Sequence, residues 1–177
     1  MADHALTVVP HATAFSTAWA MPTPWTFQSK PIAAFLDRWL MDAKIIVDPF
    51  CGKSDRAGMR CDLAFGMDAV QFCNELLPNV RGSADAVLFD PPYSPRQIKE
   101  SYSKVGLRCS RSDTQNAKLY SRVRGQLAEL LRPGGVALSF GWQSAGFCGW
   151  ATDEILLVQH GGAHNDTICV AQRKPTP

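Results

Sequence analysis

Two short apolar runs in this chain stop at the same dipeptide. Ile45-Ile46-Val47 runs into Asp48-Pro49, and Ala84-Asp85-Ala86-Val87-Leu88-Phe89 runs into Asp90-Pro91-Pro92-Tyr93. Apolar runs this short, closed by a residue that cannot continue a hydrogen-bond ladder, read as strands buried on both faces. Helical spacing fills the intervals. Ile32, Phe35, Leu36, Trp39 and Leu40 follow Lys30-Pro31, and Val70, Phe72, Leu76 and Leu77 follow Asp68, which stands at the N-cap position. Residues 119–131 carry Val123, Leu127, Leu130 and Leu131 and end at the terminator Arg132-Pro133-Gly134-Gly135. Strands are expected at 136–140, 154–158 and 167–171, the last two joined through Gly161-Gly162 as an antiparallel hairpin. Strands alternating with helices predict an α/β domain with an open, mostly parallel sheet. Residues 1–25, with Pro10, Pro22 and Pro24 and no period, read as an irregular arm before a domain over 26–177.

Composition narrows the class. A chain of 177 residues with 46% hydrophobic and 19% charged residues is expected to form one domain with a real core. No run approaches the roughly eighteen apolar residues of a membrane span, and Asp3 and His4 stand where a signal peptide would be basic, so a soluble, cytoplasmic protein is expected. The six cysteines form no CxxC pair and read as buried thiols in a reducing compartment. His160 and His164 flank Gly161-Gly162, which argues against a rigid metal site, and none is expected.

Open parallel sheets bind ligands beyond the carboxyl ends of their strands, so the two Asp-Pro turns are the candidate sites. In Asp48-Pro49-Phe50-Cys51-Gly52 the glycine admits a ligand to the backbone, and Asp48 either holds a cationic amine or caps the turn. Asp90-Pro91-Pro92-Tyr93 is more specific. Its two prolines form a stiff segment that offers carbonyl oxygens and a carboxylate and no backbone donors. Such acceptors suit an NH2 group. Hydrogen bonds taken from its hydrogens favour the pyramidal, nucleophilic nitrogen of a transition state. Tyr93 would offer a flat face to a base turned out of a helix. Trp142 and Gln143, just past a strand end, are candidates for the pocket wall, with core packing the alternative for Trp142.

At these residues the chain resembles the amino-group DNA methyltransferases that use S-adenosylmethionine. Five features match in order over residues 26–141: Thr26-Phe27 before Lys30-Pro31-Ile32, the turn Asp48 to Gly52, Asp68 opening a helix, Asp90-Pro91-Pro92-Tyr93, and Leu131 to Gly135 before a strand. The resemblance implies a Rossmann-like class I methyltransferase fold and transfer of a methyl group from S-adenosylmethionine to adenine N6 in DNA. By position it implies Asp90, Pro91, Pro92 and Tyr93 as the catalytic set. It implies Phe27 and Phe50 against the cofactor, with Asp48, Pro49 and Gly52 at its methionine part, Asp62 at the ribose and Asp68 at the adenine. Each of these has a plainer alternative: core for the phenylalanines, a turn residue for Asp62, the helix N-cap for Asp68.

The chain also departs from that pattern. Ser54 stands where the family has a second glycine, and Asp62 follows Gly52 by ten residues, too few for a helix and a strand, so the first crossover is expected to be abbreviated. No target-recognition domain is expected beyond the fold. Base selection is therefore assigned to the basic stretch 94–124, the arm or a partner. Between 94 and 132 nine Lys and Arg face three acids, whereas the rest of the chain has nine against thirteen. A basic block in an acidic domain is either a solvated face or a polyanion surface. Its candidates for nucleic-acid binding are Arg96, Lys99, Lys104, Arg108, Arg111, Lys118, Arg122 and Arg124. RNA or another amino group is the alternative substrate, and a nucleic-acid-binding module with a decayed methylation site is the alternative of another class.

Overall fold

The structure, a computed structural model, describes residues 12–110, 117–162 and 164–177. Its strands are β1 (Ala14–Trp19), β2 (Ile46–Asp48), β3 (Met59–Arg60), β4 (Ala84–Phe89), β5 (Leu131–Gly141), β6 (Thr152–Gln159) and β7 (Thr167–Arg173). The helices among the described residues are α1 (Lys30–Leu40), α2 (Ala69–Val80), α3 (Pro95–Lys104) and α4 (Ala117–Leu130). The strands form one sheet in the order β1-β6-β7-β5-β4-β2-β3. Only β7 runs antiparallel to its neighbours, against β5 and β6. Both Asp-Pro turns therefore leave adjacent parallel strands, β2 and β4, at the same end of the sheet.

Apolar side chains fill both faces. α1 lays Ile32, Phe35 and Leu36 against Ala86, Leu88, Leu138 and Phe140. α2 and α4 cover the other face, where Cys73, Val123, Leu127 and Leu130 meet Val47, Val87 and Ala137. Each such leucine or phenylalanine contributes about 1.5–3 kcal/mol through burial. Gln126 ties the two helices by donating to Asn74 Oδ1 at 2.6 Å. The Lys174 ammonium donates to the carbonyls of Ala128 and Leu131, each at 2.7 Å, and so satisfies the end of α4. Asp85 accepts from the amides of Ile45 and Lys44 and from Arg132, and these hydrogen bonds, that of the Ile45 amide foremost, hold its carboxyl down at about 2.

Three local features differ from the sequence reading. The arm over 1–25 is not irregular throughout, since Ala14–Trp19 pairs in parallel with β6. This strand is carried by backbone pairing rather than burial, with Phe15 and Trp19 facing solvent, so it left no apolar alternation to read. α3 was not expected. It has one buried residue, Ile98, but Ser94 and Gln97 form a capping box with Pro95 in the first turn, a signal present in the sequence. Arg132 to Gly135 is a bulge within β5, because Leu131 pairs with Ala84 and Val136 with Ala86. The crossover between β2 and β3, by contrast, is abbreviated as expected: it holds no helix, and its strand is two residues long.

Candidate active site

The turns after β2 and β4 open on one cavity of about 510 Å³, within the range of small-molecule sites. Its wall includes Asp90, Pro91, Pro92 and Tyr93 from the β4 end and Pro49, Phe50 and Gly52 from the β2 end. Phe27, Asp62 and Asp68 also line it, so ten of the eleven residues singled out as catalytic or cofactor-binding meet there. Asp48 is the exception. Its side chain folds back to accept the Phe50 amide at 2.9 Å and is fully buried, with Oδ2 lacking a partner among the described residues. Burial, with Asp90 and Asp62 nearby, pushes its carboxyl up to about 8.

The catalytic-loop geometry is set by hydroxyls. Tyr93 donates to Asp90 Oδ1 at 2.7 Å, and Thr26 adds a second side-chain hydrogen bond to the same carboxylate. Burial raises the Asp90 carboxyl above its usual range, and those two hydrogen bonds oppose the rise. Burial and the neighbouring Asp90 hold the Tyr93 phenol well above its ordinary value, so it remains a donor. The loop is braced from outside as well. Tyr120 on α4 donates to the Pro92 carbonyl at 2.6 Å, and Gln97 accepts from the Tyr93 and Ser94 amides. The Tyr93 ring lies beside Trp142, with centroids 6.1 Å apart, and against Gly141. Trp142 is exposed, which removes core packing as its explanation, but neither Trp142 nor Gln143 lines the cavity.

The cofactor wall is built on a 3-10 turn over Leu63–Phe65, the start of α2 and a glycine. Asp62 accepts from Ala64 N and from Gly52 N, pinning the end of β3 to the β2 turn. Asp68 caps α2 with Oδ1 alone, which takes the amides of Val70 and Gln71 at 2.9 Å. Its second oxygen is outside the cap, so capping and ligand binding do not compete for one atom. Gly52 has φ 53°, and a Cβ there would stand 2.9 Å from Trp25 Cζ3, so the position requires glycine on both counts. Burial pushes the Cys51, Cys61 and Cys73 thiols up to about 12, 11 and 12, values at which none is a thiolate nucleophile.

The basic residues divide. Arg96, Lys99, Arg108, Lys118 and Arg122 are exposed, with Arg96 paired to Glu100. Lys104 lines the cavity with its ammonium 5.8 Å from the Trp25 ring. Arg124 turns inward, donating to Gly146 O at 2.9 Å with its guanidinium over Phe89, so it is a structural tie and not part of a nucleic-acid face. Arg111 lies outside the described residues. Sequence reasoning passed over Trp25, Lys53 and Tyr120, none of which has a local pattern, and used Thr26 only as a motif marker. His160 is engaged on both ring nitrogens, with Ala20 O and Thr167 Oγ1 each at 3.0 Å.

The fold is that of class I methyltransferases. The chain is similar to the Burkholderia thailandensis 1,6-didemethyltoxoflavin-N1-methyltransferase, a structure with bound 1,6-didemethyltoxoflavin and S-adenosylhomocysteine, with a TM-score of 0.53, 12% identity and coverage of 83% of this chain and 78% of that one. Weaker likenesses are to the yhhF protein of Escherichia coli (TM-score 0.47, 13% identity, 88% and 92% covered) and the N-methyltransferase NodS of Bradyrhizobium japonicum WM9 (0.41, 12%, 94% and 88%). No protein-family model and no curated protein matches the chain. Among the described residues no helix is long and apolar enough to cross a membrane.

Proposed function

We propose that this protein transfers the methyl group of S-adenosylmethionine to the N6 amino group of adenine in DNA, within the cytoplasm. The observation that carries the reading is the Asp90-Pro91-Pro92-Tyr93 loop, presented as acceptors to the cavity that the β2 turn also lines. A cavity wall bearing Asp62 and Asp68 fits a cofactor rich in hydroxyl and amino donors. When bound there, S-adenosylmethionine supplies an electrophilic methyl group on a sulfonium. Asp62 would accept from its ribose hydroxyls and Asp68 from its adenine amino group, while Phe27 and Phe50 lie against it and Gly52 gives room at its methionine part.

On the substrate side, the Asp90 carboxylate and the Pro91 carbonyl take the two hydrogens of the target NH2, which directs its lone pair into the cavity. Tyr93 and Thr26 fix the carboxylate, and Tyr120 fixes the loop. Once nitrogen has accepted the methyl group it carries a positive charge, and Asp90 is the neighbouring acceptor for the proton it sheds. Trp142 beside Tyr93 supports aromatic contact with a base outside its helix. The exposed Arg96, Lys99, Arg108, Lys118 and Arg122 supply the charge to hold phosphates.

Incubation of purified protein with methyl-labelled cofactor and separate DNA and RNA substrates, followed by digestion to nucleosides, tests this reading. N6-methyladenine in DNA is the expected product. Label confined to RNA, or to neither nucleic acid despite cofactor binding, would overturn the DNA assignment.

A further inference from the structure

The cavity wall holds two cations that the reaction above does not use. We propose that Lys53 and Lys104, gathered on the Trp25 ring, form the recognition site for the carboxylate at the amino-acid end of the cofactor. The inference rests on the reading of the site as one for S-adenosylmethionine.

Charge complementarity is the first argument. Five lining residues are Asp or Glu and three are Lys or Arg. An acidic wall suits the sulfonium and ammonium groups of the cofactor and repels its one carboxylate, unless a local cation faces that group. Arg56 is bound to Asp37, so of the three lining cations it is already neutralised. Neither Lys53 nor Lys104 forms an ion pair with a carboxylate among the described residues.

Placement is the second. The Lys53 ammonium lies 5.3 Å and the Lys104 ammonium 5.8 Å from the centroid of the Trp25 ring. Lys53 follows Gly52, whose backbone meets the same ring, and Lys104 ends α3, the helix that leaves the catalytic loop. One indole thus carries two cations from distant segments, at the turn assigned to the methionine part. An anion at this ring is attracted by both ammonium groups while each keeps its contact with the ring. This removes Lys104 from the phosphate-binding set.

The test uses two ligands that differ only in the group at issue, S-adenosylmethionine and its decarboxylated analogue. Titration calorimetry on the wild type should show about tenfold tighter binding of the carboxylated ligand, the range of a charge-assisted hydrogen bond. In a K53M/K104M double variant that preference should vanish, with the decarboxylated ligand bound within about twofold of wild type. Both lysines are exposed, and a thermal melt verifies that the variant is folded. A wild type that binds both ligands equally, or a variant that keeps the preference or weakens both ligands alike, overturns the carboxylate assignment alone. A wild type that binds neither ligand overturns the underlying methyltransferase reading. A K104M variant that keeps the preference while lowering the salt dependence of DNA binding returns Lys104 to the nucleic-acid surface.

Discussion

The Tyr93 hydroxyl donates to Asp90 Oδ1 at 2.7 Å, so the catalytic loop binds its own acceptor before any substrate arrives. The aromatic ring and the hydroxyl of one residue therefore have separable duties. Tyr93→Phe should keep ring contact with the base and lower the transfer rate less than tenfold, whereas Tyr93→Ala should lower it about a hundredfold or more. Single-turnover rates at saturating cofactor measure both. Equal losses in the two variants would place the whole effect on the hydroxyl.

Asp90→Ala should abolish methyl transfer, with a loss of about a hundredfold or more, while cofactor affinity stays within several-fold. The carboxylate serves the target amine and not the cofactor. Calorimetry with S-adenosylhomocysteine, set beside the transfer rate, separates the two. Wild-type turnover in this variant would refute the assignment of Asp90.

Gly141→Ala would place a Cβ 2.5 Å from Tyr93 Cε1. The β5 backbone cannot yield there without breaking its pairing with Ile168, so the tyrosine must move. The expected result is a loss of transfer with cofactor binding retained, and a stability cost of about 1–3 kcal/mol from overpacking. Urea unfolding and the transfer assay read the two effects.

Asp48 makes stability depend on pH in a stated direction. Its folded value of about 8 stands above the ordinary 3.8, so the folded state keeps a proton that the unfolded state releases between those values. The contribution is whole below about pH 4 and lost as pH rises through about 8, with a slope of order 1.4 kcal/mol per pH unit. Relative to Asp48→Asn, the wild type should lose stability across that window and run parallel above it. Urea midpoints between pH 5 and pH 9 that stay parallel throughout would show an ionised Asp48.

Asp68→Ala should weaken cofactor binding and also remove about 1 kcal/mol of helix capping. Asp68→Ser separates these roles, since serine caps α2 without a carboxylate. Restored stability with affinity still low is the expected outcome. Recovery of both would reduce Asp68 to the cap it makes with Oδ1.

Replacing exposed Lys99 and Arg108 with alanine should reduce the slope of log DNA affinity against log salt by about 2. Folding should hardly change, because exposed charges contribute little to it. An unchanged slope would leave these residues as a solvated face.

The parts of this molecule legible in the sequence are those whose cause is local. The ends of β2 and β4 are marked by an apolar run meeting proline, and α2 by Asp68 at its cap. Asp48 shows the limit of that reading: its place at a strand end was visible, but its turning under the cavity to meet the Phe50 amide was not. The Tyr120 contact to Pro92 spans 28 residues and carries no periodic signature. Arg124 sat in a basic stretch and could be told from its neighbours only by what lies beneath it, Phe89 and the Gly146 carbonyl.

The parallel pairing of β1 with β6 has a consequence in time. Thr13 hydrogen-bonds to Thr152, 139 residues later, and the Ala20 amide reaches the Gln159 carbonyl. The segment that follows β1 supplies Trp25, Thr26 and Phe27 to the cavity. Those three residues meet Gly52, Asp90 and Phe140, all made before β6, whereas β1 has no strand to pair with until β6 is made. Long-range pairings of this kind form late, because the chain between them must first be closed. A nascent chain halted before β6 would therefore hold the partners of Thr26 and Phe27 already made, Asp90 and Phe140, while β1 still presented an unpaired edge.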